Sequence, residues 1–181
     1  MRKFACVGSH GVGKTTLAIK LASECKKSGI NIFLLQEQVR FSPFGLNEEM
    51  VPETSLWASH YQIAAELEAE ARKFDYLIAD RSPYDTFLYS KYYGLTHPFM
   101  AKARQAAFDW LQSYDKIIWV RPNMPLELDR VRGADRRYQE KIDILFDQFF
   151  STLSEIPKEI IWTTDIFQDK SSHLSLGEWL S

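Results

Sequence analysis

Residues 8–15 combine the residue types that bind a polyphosphate, in the order Gly-Ser-His-Gly-Val-Gly-Lys-Thr. This is the spacing of the Walker A loop, whose glycines let main-chain N–H groups turn toward phosphate oxygens. Lys14 is expected to reach the β- and γ-phosphates, and the hydroxyl of Thr15 is expected to hold Mg²⁺. Thr16 fits a helix residue better than a ligand. The complete set of nucleotide-binding residues that we predict is Gly8, Gly11, Val12, Gly13, Lys14, Thr15 and Thr16.

An acidic residue closes a second apolar run, which extends from Phe74 to Asp80 and is followed by Arg81 and Ser82. An acid at the carboxyl end of a strand beside the P-loop strand is the Walker B arrangement, in which Asp80 binds Mg²⁺ directly or through water. The other interpretation is that Asp80 or Ser82 caps the helix that follows. We predict Thr15 and Asp80 as the metal-binding pair.

Glu37 follows another apolar run, at the expected end of the second strand. If the protein transfers a phosphoryl group, Glu37 is placed to accept a proton from the attacking hydroxyl. Arg81 is then placed to hold Glu37 or to stabilise charge on the transferred group. The alternative is a solvated carboxylate paired with Arg40, and Glu37 taken alone favours that alternative.

Alternating strand and helix patterns position these residues. Strands are predicted at Phe4–Gly8, Asn31–Leu35, Tyr76–Ala79, Lys116–Val120 and Glu159–Thr163. Helices are predicted at Lys14–Lys27, Leu56–Lys73, Pro83–Tyr93, Phe99–Gln112, Tyr138–Leu153 and Leu176–Leu180. The alternation predicts an α/β fold with three layers, in which helices cover both faces of a five-stranded parallel sheet. The long loop from Phe41 to Glu53 is expected to be functional.

Several short motifs resemble known kinases. Asp80-Arg81-Ser82 is similar to the acid-Arg-Ser motif of deoxynucleoside kinases and thymidylate kinases, and Trp57-Ala58-Ser59-His60-Tyr61-Gln62 is similar to the Trp-Ala-x-x-Phe-Gln stretch of deoxynucleoside kinases. The chain as a whole more closely resembles the thymidylate-kinase-like P-loop proteins grouped with the nicotinamide riboside kinase domain. Their patterns are matched by Glu37-x-x-Arg40, Asp80-Arg81-Ser82-x-x-Asp85-Thr86, Tyr89-x-x-Tyr92-Tyr93-Gly94 and Asp129-x-Val131-Arg132.

The resemblance implies the strand order 2-3-1-4-5 and assigns roles to three residues. Glu37 is the general base, Arg81 stabilises charge beside the acceptor, and Gln62 reads the edge of a base or ring amide. It also implies that the loop Thr163–Phe167 lies near the nucleotide base. The substrate-binding residues that we predict are Glu37, Arg40, Trp57, Tyr61, Gln62 and Arg81.

Helical geometry supports part of this pocket. Trp57, Ala58, Tyr61 and Gln62 lie within an arc of roughly 140° on a helix. They would supply an aromatic wall and an amide that donates and accepts at once. The competing interpretation is that Trp57 and Tyr61 belong to the core and Gln62 to the surface. His10 departs from the kinase patterns and has no predicted role.

Four arginines crowd into the eight residues from Arg130 to Arg137, with Asp129 and Asp135 among or beside them. In kinases of this class an arginine-bearing lid closes over the donor phosphates, and we predict such a lid at about residues 129–138. Arg132 and Arg136 are the expected contacts. The alternative is a solvated helix face with ion pairs, and Arg130 stands where the family commonly has glycine, which leaves the lid geometry open.

The 181 residues suit one domain, residues 1–181, and carry a net charge of −2. No apolar run reaches membrane-spanning length, and the first strand begins so close to Met1 that no signal peptide is expected. Cys6 and Cys25 lack the spacing of a metal or redox site, and two buried free thiols are typical of the cytoplasm. The acidic net charge disfavours a nucleic acid acceptor, although a local basic groove would overcome it.

Together these observations predict a kinase that uses ATP and Mg²⁺ to phosphorylate a hydroxyl or phosphate of a nucleoside, nucleotide or modified base. The catalytic residues that we predict are Lys14, Glu37, Arg81, Arg132 and Arg136. The alternative is a regulatory P-loop NTPase that hydrolyses ATP or GTP without a small-molecule acceptor. Related kinases often dimerise, and the segment Tyr84–Tyr93 is a candidate interface, although core packing suits it better.

Overall fold

A computed structural model of the protein describes residues 1–123, 136–153, 155 and 157–167. Arg132, most of the predicted lid and the predicted helix Leu176–Leu180 lie outside the described residues. Within the described part of the chain, none of the helices has the length and apolar character needed to cross a bilayer.

Five parallel strands form one sheet in the order β2-β3-β1-β4-β5, as predicted. The strands are β1 Arg2–Val7, β2 Ile32–Leu35, β3 Tyr76–Asp80, β4 Lys116–Arg121 and β5 Lys158–Trp162. The central strand β1 pairs with β3 on one side and β4 on the other, with Cys6 beside Asp80 in the register. Since the strands are parallel, their carboxyl ends meet at one edge, where the P-loop and the candidate metal-binding acid both lie.

Helices connect the strands and cover both faces of the sheet. They are α1 Lys14–Lys27, α2 Pro52–Ala71, α3 Asp85–Tyr92, α4 Met100–Trp110, α5 Arg136–Thr152 and α6 Thr163–Phe167. Short 3₁₀ turns occur at Gln38–Phe41, Asn47–Glu49 and Leu111–Ser113. The predicted long loop from Phe41 to Glu53 therefore begins at the end of the first turn and contains the second, and the chain enters α2 at Pro52.

Several predicted element boundaries differ from the structure by a few residues, and two segments differ for identifiable reasons. The helix α2 begins at Pro52, four residues before the predicted start, because proline suits the first helical position and the Thr54 hydroxyl accepts a hydrogen bond from the Val51 N–H at 3.3 Å. The segment after β5, predicted as a loop, forms the short helix α6. The Thr163 hydroxyl of α6 lies 3.2 Å from the Val12 carbonyl of the P-loop.

Alternation along β1 divides the core between the two faces of the sheet. Phe4 and Cys6 pack with residues of α1 and α6 on one face. Ala5 and Val7 pack with residues of α2, α3 and α5 on the other face, where Phe146 is fully buried. This confirms the three-layer α/β/α architecture and leaves the strand ends free to carry polar groups.

Candidate active site

The P-loop takes its shape from glycine backbone conformations. Gly8 follows β1 with φ +139°, and a Cβ atom there would lie 2.3 Å from the Val120 carbonyl oxygen of β4. Gly13, at φ +90°, precedes α1 and uses its carbonyl to accept the first bond of that helix from Leu17 at 2.9 Å. No side chain of the described residues caps this end of α1. Its N–H groups and the positive end of its dipole therefore suit an anion.

Lys14 is buried at the base of the loop, with only 5% of its surface exposed. Its ammonium group donates a hydrogen bond to the Ser9 carbonyl at 2.6 Å. Burial and the nearby Arg81 cation lower the pKa of Lys14 from about 10.5 to about 7, although Glu37 and Asp80 oppose this shift. A polyphosphate beside Lys14 would raise its pKa again and so favour the charged form of the side chain.

Thr15 and Asp80 lie together at the edge between β1 and β3. The Thr15 hydroxyl donates to Asp80 Oδ2 at 2.6 Å. Asp80 Oδ1 is buried and has no hydrogen-bond partner among the residues that the structure describes. A hydroxyl oxygen and a carboxylate oxygen are ligands that Mg²⁺ prefers, so the two side chains fit the predicted metal site.

Glu37 lies just after β2 and is buried between two arginines. Its Oε1 accepts a hydrogen bond from Arg81 Nε, and its Oε2 accepts one from Arg40 Nε at 2.6 Å. Burial alone would raise the pKa of Glu37, but the cations of Arg81, Lys14 and Arg40 hold it well below its usual range. The carboxylate is therefore ionised at any physiological pH and is a weak base.

Arg81 adopts a left-handed backbone conformation, with φ +89°. A conformation of this kind costs about 1–3 kcal/mol in a residue with a side chain, so the surroundings must hold it. The Arg81 N–H donates to the Cys6 carbonyl at 2.9 Å, and its own carbonyl accepts from Gln62 Nε2 at 2.7 Å. The guanidinium lies over the Tyr89 ring, 5.0 Å from its centre. Although burial alone would lower the pKa of Arg81, the Glu37 carboxylate raises it above its usual value.

Asp85 is a buried carboxylate with no role in the predictions from sequence. The Ser82 hydroxyl donates to Asp85 Oδ1 at 2.6 Å, and the Ser82 N–H donates to the same oxygen at 3.2 Å. Burial raises the pKa of Asp85 to about 6, although Arg81 and the Ser82 hydrogen bond act against this. The spacing Ser-x-x-Asp is a signal for such a local pair and could have identified it.

A cavity of about 360 Å³ opens beside the P-loop at the carboxyl edge of the sheet. The ion pair between Glu37 and Arg81 lies in one wall, together with Gln62 of α2. The aromatic part of the wall consists of Tyr89, Tyr92, Tyr93 and Tyr138. The cavity thus combines a buried carboxylate with a set of rings.

His10 connects the P-loop to this aromatic wall. Its ring stacks on Tyr138 of α5, with 4.6 Å between ring centres and 29° between planes. The next residue, Gln139, donates from Nε2 to the His10 carbonyl at 2.8 Å, and Tyr138 also lies 4.8 Å from the Tyr92 ring. A residue with no predicted role therefore links the phosphate loop to the cavity wall.

A family model for the AAA domain matches residues 3–168, nearly the whole chain. The chain belongs to this AAA domain family. A search of curated proteins finds no match. The match supports the P-loop resemblance at the level of an NTPase-like, nucleotide-binding domain. The narrower resemblance to nucleoside and nucleotide kinases stays a prediction.

The AAA domain does not bring Trp57 and Tyr61 into the cavity. Their rings stack on each other with 4.2 Å between centres, and Tyr61 is 54% exposed. The opposite side of α2 carries Ala58, Ser59 and Gln62 into the cavity wall. The predicted residues spread over so wide an arc of the helix that part of the arc faces solvent. Only part of the predicted pocket therefore faces the cavity. Gln62 itself is buried and not at the surface.

Arg136, at the first turn of α5, is exposed in the AAA domain and pairs with Glu140 at 3.0 Å. It is not among the residues that line the cavity. This arrangement matches the alternative interpretation of the arginine-rich segment, in which ion pairs lie along a solvated helix face. The lid itself stays a prediction, because Arg132 lies outside the described residues.

Proposed function

We propose that this AAA domain is a phosphotransferase that uses Mg²⁺ and ATP to phosphorylate a hydroxyl group of an uncharged, ring-bearing acceptor such as a nucleoside. The observation that carries the proposal is the cavity of about 360 Å³ whose wall contains Glu37 and Arg81 beside the P-loop. A domain that only hydrolyses its nucleotide has no need of a cavity with a buried carboxylate beside its phosphate loop. An acceptor bound there would lie next to the donor phosphates.

The donor side of the proposal depends on the P-loop and on the pair formed by Thr15 and Asp80. Main-chain N–H groups and Lys14 bind the phosphates, and Lys14 offsets charge that develops between them. Thr15 and Asp80 supply oxygen ligands for Mg²⁺. The bound ion would neutralise part of the phosphate charge during transfer. Most of the rate enhancement then comes from positioning and electrostatics.

On the acceptor side, Glu37 accepts a hydrogen bond from the attacking hydroxyl and orients it. Because its pKa is held well below the usual range, Glu37 is better suited to orientation than to early removal of the proton. In phosphoryl transfer through a loose transition state, the attacking hydroxyl need not lose its proton early, so a strong base is not required. Arg81 fixes the carboxylate and brings positive charge close to the transferred group.

The charges of the cavity favour an acceptor without a phosphate group. Among the described residues that line it, Arg40 and Arg81 both donate to Glu37, and Glu48 adds a second acid. An acceptor monophosphate would require cations beyond these two arginines. The tyrosine rings offer flat apolar surfaces that suit a planar heterocycle. A nucleoside fits this combination better than a nucleotide does.

The test is a matched panel of nucleosides and their 5′-monophosphates, each incubated with the protein, ATP and Mg²⁺. We expect a nucleoside to stimulate ADP release and to gain the mass of one phosphoryl group, and the matching monophosphate to do so more weakly. The Lys14→Ala variant is the control for contaminating activity. Equal ADP release with and without every acceptor would contradict the proposal and support the regulatory NTPase.

A further inference from the structure

The side-chain amide of Gln62 has both of its N–H groups committed inside the protein. Nε2 donates to the Arg81 carbonyl at 2.7 Å and to Glu66 Oε1 at 3.2 Å. Both partners are acceptors only, so the NH₂ group must face them, and a flipped amide would set oxygen against oxygen. A ligand in the cavity could therefore hydrogen-bond to Gln62 only through its side-chain carbonyl oxygen. The sequence-based expectation that it donates and accepts at once does not match this arrangement.

Glu66 holds the Gln62 amide in place by accepting one of its hydrogen bonds. It lies one helical turn after Gln62, is 1% exposed, and accepts hydrogen bonds on both carboxylate oxygens. Its four donors are Lys3 Nζ at 2.6 Å, Trp110 Nε1 at 2.8 Å, the Tyr114 hydroxyl and the Gln62 amide. A buried carboxylate is tolerated only when it is paired and hydrogen-bonded in this way. Glu66 is thus attached to β1 and to the end of α4, and it holds Gln62 in one position.

The other partner of the Gln62 amide is the strained backbone of Arg81. The bond to Gln62 sets the direction of the peptide after Arg81, and the bond from its N–H to the Cys6 carbonyl sets the peptide before it. Because both peptides are fixed, the Arg81 side chain points toward Glu37, and its Nε donates a hydrogen bond to the Glu37 carboxylate. The contact between Arg81 and Glu37 therefore depends on a residue whose own hydrogen bonds, among the described residues, go to the Arg81 backbone and to Glu66.

We infer that Gln62, held by Glu66, is a positioning residue that keeps Arg81 in the left-handed conformation from which it binds Glu37. Its effect on catalysis rests on the proposed function, whereas its effect on Arg81 does not. Two substitutions separate this role from direct contact with the acceptor. Gln62→Met has a similar length and loses both donors and the carbonyl oxygen, whereas Gln62→Lys keeps donation, loses the oxygen and adds a positive charge that faces Glu66.

The first experiment measures the hydrogen bonding of the Arg81 side chain by NMR and does not depend on enzymatic activity. In the ¹⁵N-labelled full chain, the Arg81 Nε–H signal reports the hydrogen bond to Glu37. We expect Gln62→Met to shift this signal and to speed its exchange with solvent about tenfold or more, and Gln62→Lys to keep exchange within about twofold of the wild type. Gln105→Met, on the exposed side of α4, is the matched control and should change nothing. An unchanged signal in Gln62→Met would overturn the inference.

The second experiment is a double-mutant cycle with Arg81→Ala. We expect Gln62→Met to lower kcat about tenfold in the wild-type background and less than about twofold in Arg81→Ala, with KM for ATP unchanged, because the two residues act as one unit. Equal losses in both backgrounds, or a loss confined to the KM of the acceptor, would overturn the inference.

An inactive wild type and an unfolded variant have different consequences for the inference. If the wild type shows no acceptor-dependent turnover, the proposed function fails, and the Arg81 signal still decides the positioning role. If Gln62→Met does not fold, Gln62→Asn takes its place, because its amide is one methylene group too short for the bond to the Arg81 carbonyl. A displaced Arg81 signal in that variant supports the inference, and a native signal overturns it.

Discussion

The Thr15 hydroxyl donates a hydrogen bond to the Asp80 carboxylate at 2.6 Å, and so joins the first turn of α1 to the end of β3. The two residues are 65 positions apart in the chain, and parallel pairing between β1 and β3 brings them together. The oxygens proposed to bind Mg²⁺ are therefore assembled by the sheet itself.

The first prediction concerns this pair. Thr15→Val keeps the shape of the side chain and removes the hydroxyl, so the Mg²⁺ concentration for half-maximal nucleotide turnover should rise about tenfold or more. Loss of the hydrogen bond should lower the free energy of unfolding by about 1 kcal/mol. Thr152→Val, at the end of α5, is the matched control and should leave the Mg²⁺ dependence unchanged. An unchanged Mg²⁺ dependence in Thr15→Val would exclude its hydroxyl as a ligand.

The second prediction follows from the lowered pKa of Lys14, about 7. At pH 8.5 the unliganded lysine is mostly neutral, and bound triphosphate favours its charged form, so ATP binding should take up close to one proton. Calorimetry in two buffers of different ionisation enthalpy measures this uptake. It should nearly vanish at pH 6 and should be absent in Lys14→Met, which should also lack turnover.

The same shift predicts how stability depends on pH. Between about pH 7 and 10.5 the unfolded chain holds a proton on Lys14 that the folded protein lacks. The contribution of this group to the free energy of unfolding should therefore increase as the pH rises through that range. Urea unfolding of the wild type and of Lys14→Met at pH 7 and pH 9 isolates the contribution. A wild-type minus Lys14→Met difference that does not change between the two pH values would rule out a lowered pKa.

The third prediction concerns Glu37. Glu37→Gln should lower kcat about 10²-fold and leave ATP affinity nearly unchanged, since the acceptor hydroxyl loses its strongest hydrogen-bond partner. Glu48→Gln is the control, because that exposed carboxylate lies at the same cavity without an arginine bonded to it in the described residues. Full activity of Glu37→Gln would remove Glu37 from the mechanism.

Glu37 should also contribute to stability in the same pH direction as Lys14, but over an acidic range. Its folded pKa is held far below the usual range, so its stabilising effect is present above about pH 4.5 and is lost as the pH falls toward the folded pKa. Glu37→Gln should therefore be clearly less stable than the wild type at pH 7 and closer to it at pH 3. Urea titrations at the two pH values provide the comparison.

The fourth prediction compares Tyr138 in the cavity wall with the stacked rings of Trp57 and Tyr61 on α2. Tyr138→Leu should raise the KM for a nucleoside about tenfold, because Tyr138 lines the cavity and a lost stacking surface costs about 1–3 kcal/mol. Trp57→Leu should leave this KM within about twofold. The reverse result would restore the wall of Trp57 and Tyr61 predicted from sequence.

Local patterns were enough to predict the sheet and the phosphate loop. Uninterrupted apolar runs indicated buried parallel strands, and the spacing from Gly8 to Thr15 has few other uses. The position of Asp80 at a strand end followed from the same run. The strand order came from the resemblance to kinases, and the structure confirms it.

Contacts between distant segments could not be predicted in this way. Glu66 looks like an ordinary helix acid in the sequence, and its burial depends on Lys3, Trp110 and Tyr114, which only the fold brings together. The stack of His10 on Tyr138 likewise joins residues 128 positions apart. The rotation of α2, which sets Gln62 inward and Tyr61 outward, depends on packing that no single helix encodes.

Gly8 leaves no room for a side chain because the β4 backbone lies against it. The close packing between Gly8 and β4 therefore requires glycine at this position whether or not a phosphate is bound. A variant at this position would damage the scaffold and the ligand site together, and it would be a misleading negative control in any assay. We expect Lys14→Met to remove turnover while the architecture stays intact, so it is the better negative control.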